Sequence, residues 1–403
     1  MSTQIAEQDK KSTAPTPNSP QIPRLALLCD FSEEGWRSMD LFGDVLTARF
    51  TEDHTNEITV EQLRPLWRPR FSRIPVAGRS GLARNADRLW NRFRDYPRWL
   101  RPQSPRFDIF HIVDHSYSQL VHELPAGRTV VTCHDLDTFR CLLEPELDPR
   151  PRWFRAMAQR TLDGFRKCAH VITVSEATRA ELLRLRLFPA GQVTVIPPGV
   201  DSVYFNPSDP VTRDRIPRPR RGPYLLHVGS TIRRKRIDVL LRVFAAVRKR
   251  FPDLQLVRVG GALTPEQFEL AASLGVDQGL IQSPPLSAAE LSFLYQGDAL
   301  LLQPSDAEGF GLPVIESMAS GCPVIASDIP PLHEAGGEAA EYCAVADIDA
   351  WSDAIQRLLA ERAESPHLWQ ARRKRAQHHA RNFSWARNAD RTLEIYRQVL
   401  ANG

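Results

Sequence analysis

A short stretch near residue 310 constrains the fold more than any other part of the chain. Residues 308–316 read Glu-Gly-Phe-Gly-Leu-Pro-Val-Ile-Glu, and the apolar run 298–305 before them predicts a strand that ends in a loop. Gly309 and Gly311 allow a tight turn and leave backbone N–H groups uncovered at the start of the next helix. Such a helix start favours an anion, usually a phosphate. The stretch therefore predicts a strand–turn–helix unit that binds a ligand.

Two glutamates flank this turn. Glu308 lies on the loop and Glu316 about a turn and a half into the helix, so both can face one crevice. Carboxylates repel phosphate, and their natural partners are sugar hydroxyls, from which they accept strong hydrogen bonds. A phosphate-binding turn between two hydroxyl acceptors predicts a nucleotide-sugar pocket. The alternative is a glycine-rich turn with two solvated glutamates.

The same element resembles the signature of the family 4 retaining glycosyltransferases, of glycosyltransferase group 1, which have the GT-B fold. The similarity extends from about Leu25 over nearly the whole chain. It implies that Glu308 holds hydroxyls of the donor sugar and that Glu316 holds the ribose hydroxyls. The turn residues that it places in the donor site are Gly309, Phe310, Gly311 and Leu312.

Length and composition are those of a two-domain globular protein. The chain has 403 residues, 42% of them hydrophobic and 25% charged. Its six cysteines include no Cys-x-x-Cys pair, so we expect reduced core residues in a cytoplasmic protein, without a disulfide framework or a metal site. Residues 1–22 are rich in Pro, Ser and Thr and predict a disordered tail. No apolar stretch reaches the roughly 20 residues that span a bilayer.

Strand and helix patterns alternate along the chain. We expect strands at 24–29, 107–113, 129–133, 170–174, 224–229 and 254–259, with helices between them. This alternation predicts an α/β protein with doubly wound parallel sheets, whose ligands lie at the carboxyl ends of the strands.

With the resemblance, the alternation implies two Rossmann-like domains that face a central cleft. The expected divisions are an acceptor domain, a linker, a nucleotide-sugar domain and a last helix that crosses back to the first domain. They cover residues 23–205, 206–222, 223–383 and 384–403.

A second donor segment follows the strand at 224–229. Its glycine, Gly229, permits close approach of a ligand to the backbone, and its cations suit a diphosphate. By resemblance, Lys235 contacts the donor diphosphate and Arg234 is the second cation. Many family members carry an arginine directly after the glycine, where this chain has Ser230. The alternative is a solvated basic helix start.

The resemblance assigns further residues to the cleft. His134 is placed beside the transferred sugar, where it holds a hydroxyl and helps to stabilise the transition state, with Asp135 next to it. Ser175 lines the cleft or caps the next helix. Gly35 keeps a close backbone approach, although Glu33-Glu34-Gly35-Trp36 replaces the usual glycine pair. Glu334 is expected near the base of the nucleotide.

The implied reaction is the transfer of a glycosyl unit from a UDP-, GDP- or ADP-linked sugar to an acceptor hydroxyl, with retention. We expect a same-side, internal-return mechanism without a metal and without a cofactor. Alternatives are a GT-B protein of other chemistry, such as an epimerase or a phosphorylase, and a non-catalytic sugar- or polyanion-binding protein. No Gly-x-Gly-x-x-Gly follows the first strand and no P-loop is present, which argues against an oxidoreductase or an NTPase.

The segment from Arg64 to Arg106 has an unusual composition. It carries twelve arginines against two acids, with six interleaved tryptophan, phenylalanine and tyrosine residues. One hypothesis is that it docks on an anionic membrane or a polyanionic acceptor, at the cytoplasmic face of the membrane. The other is a surface lobe whose aromatic side chains anchor it to the core. No motif supports nucleic-acid binding.

Overall fold

Two parallel sheets of six strands each organise the protein. The computed structural model describes residues 22–74, 80–206, 216, 222–297 and 299–402. Most of the expected linker, residues 206–222, and the expected tail lie outside the described residues. The strands of the first sheet are β1 Arg24–Leu28, β2 Thr59–Leu63, β3 Ile109–Ile112, β4 Thr129–Cys133, β5 His170–Thr173 and β6 Val193–Val195. Those of the second are β7 Tyr224–Val228, β8 Gln255–Val259, β9 Leu280–Ser283, β10 Ala299–Gln303, β11 Val324–Ser327 and β12 Glu341–Cys343.

Helices cover both faces of the two sheets. Those that precede the second sheet are α1 Arg37–Asp53, α2 Gly81–Trp90, α3 Tyr96–Leu100, α4 Arg140–Leu143, α5 Arg152–Phe165 and α6 Glu176–Arg184. The others are α7 Ile237–Arg248, α8 Pro265–Ser273, α9 Ala288–Gln296, α10 Leu312–Ala319, α11 Pro330–Gly336, α12 Ile348–Glu364, α13 Pro366–Ala380 and α14 Trp385–Asn402. The expected α/β class with doubly wound parallel sheets is thus confirmed.

The order of the strands defines one switch point in each sheet. The first sheet runs β2-β1-β3-β4-β5-β6 and the second β12-β11-β10-β7-β8-β9, with every pairing parallel. The order of the strands reverses between β1 and β3 and between β7 and β10. In doubly wound sheets a ligand binds outside the carboxyl ends of the strands at such a point. A ligand is therefore expected at the loops after β1, β3, β7 and β10.

The apolar strands are buried because helices cover both sides of each sheet. Continuous apolar runs, such as residues 299–302 of β10, are completely buried, as parallel strands require. The polar strand β2 lies at the edge of the first sheet, where it pairs with β1 and is less buried. All six cysteines are free and buried.

The last helix belongs to the first domain. On α14, the Tyr396 hydroxyl lies 2.5 Å from Nδ1 of His111 on β3, and the Asn388 amide donates to the Pro197 carbonyl at 2.7 Å. Trp385 packs edge-on against Phe42 of α1. One cluster of buried apolar side chains therefore runs from the first sheet through α14 into the second domain.

The described part of the arginine-rich segment is folded against the first sheet. A π-helical stretch, Asn91–Asp95, joins α2 to α3. The buried Asp87 carboxylate accepts the backbone N–H groups of Arg70, Phe71 and Ser72 at 2.7–2.9 Å. Tyr96 is fully buried and packs against Phe31. Aromatic side chains thus anchor this lobe to the core.

Candidate active site

The switch point of the second sheet carries a buried ion pair. Gly229 follows β7, and the loop 304–311 follows β10 and leads into α10. The Lys235 ammonium lies 2.6 and 2.8 Å from the two carboxylate oxygens of Glu308. The fold therefore brings together the lysine and the first glutamate of the two donor segments predicted from the sequence.

Other side chains hold Glu308 in its ionised form. Its Oε1 also accepts hydrogen bonds from the Gln303 amide at 2.6 Å and from the Ser305 hydroxyl at 2.7 Å. Burial alone raises the pKa of this carboxyl, but the charges of Lys235 and Arg234 more than offset that effect and lower the pKa to about 2. Glu308 is thus a fixed negative charge that orients Lys235.

The turn before α10 has the geometry of an anion site. Gly311 has a φ of 118°, which favours glycine, and it directly precedes the first residue of the helix. The backbone N–H groups of residues 309–312 bond to no described residue. Phe310 is buried and packs edge-on against Phe383, which fixes the turn. Leu312 begins the helix. These amides can bind phosphate oxygens.

Glu316, the second of the two glutamates, lies within α10, whereas Glu308 lies on the loop before this helix. It is 9% exposed and interacts with the Tyr204 hydroxyl. Burial, with a small contribution from Asp201, raises its pKa to about 7, against the favourable bond to Tyr204. Near neutral pH this carboxyl can donate as well as accept a hydrogen bond, a property that the sequence does not reveal.

His134 faces the second domain from the end of β4. Its Nε2 lies 2.8 Å from the Val113 carbonyl, which only accepts, so Nε2 carries the proton and Nδ1 is an acceptor. Burial lowers the pKa of His134 below its ordinary value, although Asp114 acts in the opposite direction. The ring is therefore neutral at pH 7, and Nδ1 can accept a bond from a hydroxyl.

Arg234 spans the cleft. Its guanidinium pairs with Asp135 at 3.2 Å and with Asp137 at 3.1 Å, both in the first domain. The expected donor cation and the expected acceptor-side Asp135 thus bind one another in this structure. A diphosphate would compete with these two carboxylates for Arg234.

Two other contacts hold the domains together at the cleft. A Cβ atom placed on Gly309 would lie 2.0 Å from the His134 carbonyl oxygen, so the two backbones touch. The Glu334 carboxylate accepts the N–H groups of Glu176 and Ala177 at 2.6 and 2.8 Å, at the start of α6. Glu334, which the resemblance places near the base of the nucleotide, therefore binds the first domain in this structure.

Three further predicted residues have local roles. Ser175 caps α6, since its hydroxyl accepts the Thr178 N–H at 3.1 Å and its side chain is completely buried. Gly35 has a φ of 75°, and a Cβ there would meet no atom within 4 Å, so backbone conformation and not close approach favours glycine. Ser230 is exposed on the loop after Gly229.

The switch point of the first sheet carries carboxyl groups that the sequence reasoning missed. Asp30 follows β1 and Asp114 follows β3, and both are buried. Burial and the charge of Asp114 raise the pKa of Asp30 well above its ordinary value. For Asp114 the opposing effects of His115, His134 and Ser116 outweigh burial and lower the pKa to about 2. The sequence pattern could have indicated both residues, because each aspartate directly follows an apolar run that predicts a strand.

A cavity of about 280 Å³ lies between the two domains. Asp135, Arg140 and Ala177 line it from the first domain, and Arg234 and Glu308 from the second. No group of three His, Cys, Asp or Glu side chains arranged to hold a metal is found among the described residues. No helix in the described part of the chain is long and apolar enough to cross a membrane.

Comparisons with known proteins identify the family of the chain. Residues 209–378 match the family model described as "Glycosyl transferases group 1", and residues 44–204 match "Glycosyltransferase Family 4". The D-inositol 3-phosphate glycosyltransferase of Arthrobacter sp. is 30% identical over 313 residues, which are 74% of this chain and 72% of the relative. That of Salinispora tropica is 33% identical over 52% of this chain and 47% of its own length. This chain spans about half the length of several of the curated relatives that it matches.

A solved structure shares the fold across both domains. Anabaena HepE, in complex with UDP and glucose, superposes with a TM-score of 0.66 at 14% identity and covers 93% of this chain and 99% of its own. The GT-B architecture is therefore shown by the structure and by this likeness. With the two family models and the Arthrobacter relative, it follows that the chain belongs to the group 1 glycosyl transferases, of glycosyltransferase family 4.

Proposed function

We propose that the protein transfers a glycosyl unit from a nucleotide diphosphate sugar to an acceptor hydroxyl, with retained anomeric configuration and without a metal. One observation carries this proposal. The Lys235–Glu308 pair and the uncovered amides before α10 lie at the switch point of the second sheet, opposite His134 of the first domain. These groups suit a diphosphate on one side and a sugar on the other.

Each group has a role that its surroundings support. Negative charge grows on the leaving diphosphate, and Lys235 with the amides of residues 309–312 would stabilise it in a preorganised way. Glu308 would orient Lys235 and accept bonds from sugar hydroxyls. His134 would accept a hydrogen bond from a sugar hydroxyl at Nδ1, since Nε2 donates to the Val113 carbonyl. Glu316 would hold the ribose.

The proposed displacement takes place on one face of the sugar. A double displacement needs a free carboxylate as nucleophile. Asp135 and Asp137, on the loop that follows His134, are both paired with Arg234, which weakens them as nucleophiles. Departure of the diphosphate and attack of the acceptor from the same side requires no such group.

The donor site can be tested by thermal shift. UDP, GDP, ADP and their common sugar conjugates are added to the wild type, to Lys235→Ala and to Glu316→Ala. Matched controls are Lys249→Ala and Glu269→Ala, which change exposed residues of the same domain. Binding to the folded state raises the melting temperature by mass action. We expect one base to stabilise the wild type and the controls but neither site variant. No response of the folded wild type to any nucleotide would refute the proposal and favour a binding protein.

Metal independence has its own measurement. Turnover with the stabilising nucleotide sugar should be unchanged after treatment with EDTA, because cationic side chains and amides take the place of a metal. A loss of turnover that Mg²⁺ or Mn²⁺ restores would contradict this part of the proposal.

We also propose that the protein is cytoplasmic and docks on an anionic membrane surface through its arginine-rich lobe. Exposed arginines on this lobe have no carboxylate partner among the described residues. They are Arg68, Arg73, Arg84, Arg94 and Arg98. Leu66 and Leu82 are 86% and 82% exposed beside them. Cations around exposed apolar side chains are typical of a surface that lies on anionic lipid.

Liposome flotation tests the membrane proposal. Vesicles with 30% anionic lipid, against neutral vesicles, are mixed with the wild type and with a variant in which the five arginines are changed to glutamine. We expect binding only to the anionic vesicles and only by the wild type. Equal binding to both vesicles, or no binding to either, would refute it.

A further inference from the structure

A buried arginine without a carboxylate partner lies beneath the donor loop. Arg258 is on β8 and is 1% exposed. No carboxylate among the described residues forms an ion pair with it. Burial lowers its pKa to about 10, so it remains charged at pH 7. A buried charge is costly unless it is compensated, and this position therefore calls for a functional reason.

The guanidinium binds the backbone of two loops. One Nη group donates to the Gly229 carbonyl at 3.2 Å, after β7, and the other donates to the Gly261 carbonyl, after β8. Both loops leave the carboxyl edge of the sheet beside the Lys235–Glu308 pair. The planar fork of an arginine can hold two carbonyls at fixed angles, which a lysine ammonium does not do.

These two bonds set the direction of two amide groups. In a trans peptide the C=O of one residue and the N–H of the next point in opposite directions. Because Arg258 binds the carbonyls of Gly229 and Gly261, the N–H groups of Ser230 and Ala262 point away from it. Both residues are exposed, and neither N–H bonds to a described residue. Outward amides on two adjoining loops can together donate to the oxygens of one anion.

The loop also lies next to the predicted diphosphate lysine. A Cβ on Gly229 would lie 3.8 Å from Cδ of Lys235. A Cβ on Gly260 would lie 2.0 Å from the Gly229 carbonyl oxygen, so the loops after β7 and β8 touch through glycine backbone. The two amides and the lysine therefore lie on adjoining loops at the carboxyl edge of the second sheet, next to the switch point.

We infer that Arg258 is a positioning residue of the donor site, which aims the amides of Ser230 and Ala262 at the diphosphate of the nucleotide. This inference rests on the proposed function. It assigns a source of diphosphate contacts beside Lys235, in a structure where Arg234 is held by Asp135 and Asp137. Arg258 acts through the backbone, and no contact of its side chain with the ligand is required.

The test compares diphosphates with monophosphates. Calorimetry gives the Kd of UDP, GDP and ADP and of UMP, GMP and AMP for the wild type, Arg258→Lys and Arg258→Met. The lysine keeps the charge and the methionine keeps most of the aliphatic volume, but neither holds both carbonyls. For the base that binds, we expect diphosphate affinity to fall about tenfold in both variants while monophosphate affinity stays within twofold.

A second pair of variants avoids the buried position. Ala262→Pro removes one of the proposed amide donors at an exposed residue, and Ala262→Ser keeps it. We expect the ratio of diphosphate to monophosphate affinity to fall several-fold for the proline variant and to be unchanged for the serine variant. This comparison also decides the matter if the Arg258 variants do not fold.

The outcomes separate the two proposals. Equal losses of diphosphate and monophosphate affinity would show a merely structural role for Arg258 and overturn the inference, as would an unchanged ratio in all variants. Either result leaves the proposed function in place. A wild type that binds no nucleotide overturns the proposed function and this inference with it.

Discussion

Gly309 offers the sharpest test of the closed arrangement of the two domains. Its backbone belongs to the second domain, and a Cβ there would lie 2.0 Å from the carbonyl oxygen of His134 in the first. Carbon and oxygen atoms that are not bonded do not approach closer than about 3.0 Å. Gly309→Ala must therefore separate these two backbones by about 1 Å, the difference between the two distances. Neither atom is at the end of a flexible side chain, so the cleft itself has to open.

The expected effect is on catalysis more than on binding. A misplacement of about 1 Å at a reacting centre can cost about 100-fold in rate, or about 2.7 kcal/mol of barrier. Nucleotide binding within the second domain should change little. We expect Gly309→Ala to release nucleoside diphosphate from the donor sugar about 100-fold more slowly, with the Kd of the nucleotide within threefold of the wild type.

The control is Gly191→Ala, at a surface turn where a Cβ would meet no atom within 4 Å. It should retain full activity. Small-angle scattering of Gly309→Ala with bound nucleotide should show a larger radius of gyration than the wild type. Wild-type activity of Gly309→Ala would mean that the arrangement described here is not the one that reacts.

Three charged groups give further predictions. The pKa of Glu316 is raised to about 7, so this carboxyl stays protonated in the folded protein at pH values where it is ionised in the unfolded chain. The free energy of unfolding therefore falls as the pH rises from about 4.5 to 7. Glu316→Gln should therefore gain up to about 3 kcal/mol over the wild type between pH 5 and 8 in thermal unfolding, and a constant difference would contradict this. The pKa of Glu308 is lowered to about 2, so its contribution is complete above about pH 4.5 and is lost toward pH 2. Glu308→Gln should be destabilised at pH 7, by a margin that narrows in acid; a margin independent of pH would refute the assignment. Glu334→Gln loses the charge at the start of α6, worth about 1 kcal/mol, and should lower the ratio of closed to open molecules about fivefold, as measured by interdomain fluorescence transfer. An unchanged distance distribution would show that the Glu334 contact does not hold the domains.

Much of the fold could be predicted because buried parallel strands have a strong pattern. The expected strand at 129–133 is β4, Thr129–Cys133, and the expected strand at 170–174 is β5, His170–Thr173. The edge strand β2, with the polar sequence Thr-Val-Glu-Gln-Leu, gave no such signal because only one side of it is paired. The helices of the arginine-rich lobe were not predicted either, since their buried acids and aromatic side chains look like surface composition.

Site residues at the ends of strands could be predicted from the sequence, but contacts between the two domains could not. His134, Lys235 and Glu308 follow the carboxyl ends of β4, β7 and β10, and the structure brings them to one cleft. The binding of Arg234 to Asp135 depends on how the domains close, which no local pattern encodes. Arg258 lies in a run that correctly predicts a strand, but the sequence does not show that its charge is buried.

The position of α14 has a consequence for synthesis of the protein. His111 is 285 residues from its partner Tyr396. At roughly 5–20 residues per second, a ribosome takes about 15–60 s to make the chain between them. The first sheet is complete only after β6 has been made, which ends at Val195, 201 residues before Tyr396. For about 10–40 s of that time the sheet is therefore complete while the surface that α14 covers is exposed to water. A newly made first domain therefore spends this interval with an open apolar face, and it is a natural client for a chaperone until the last helix emerges.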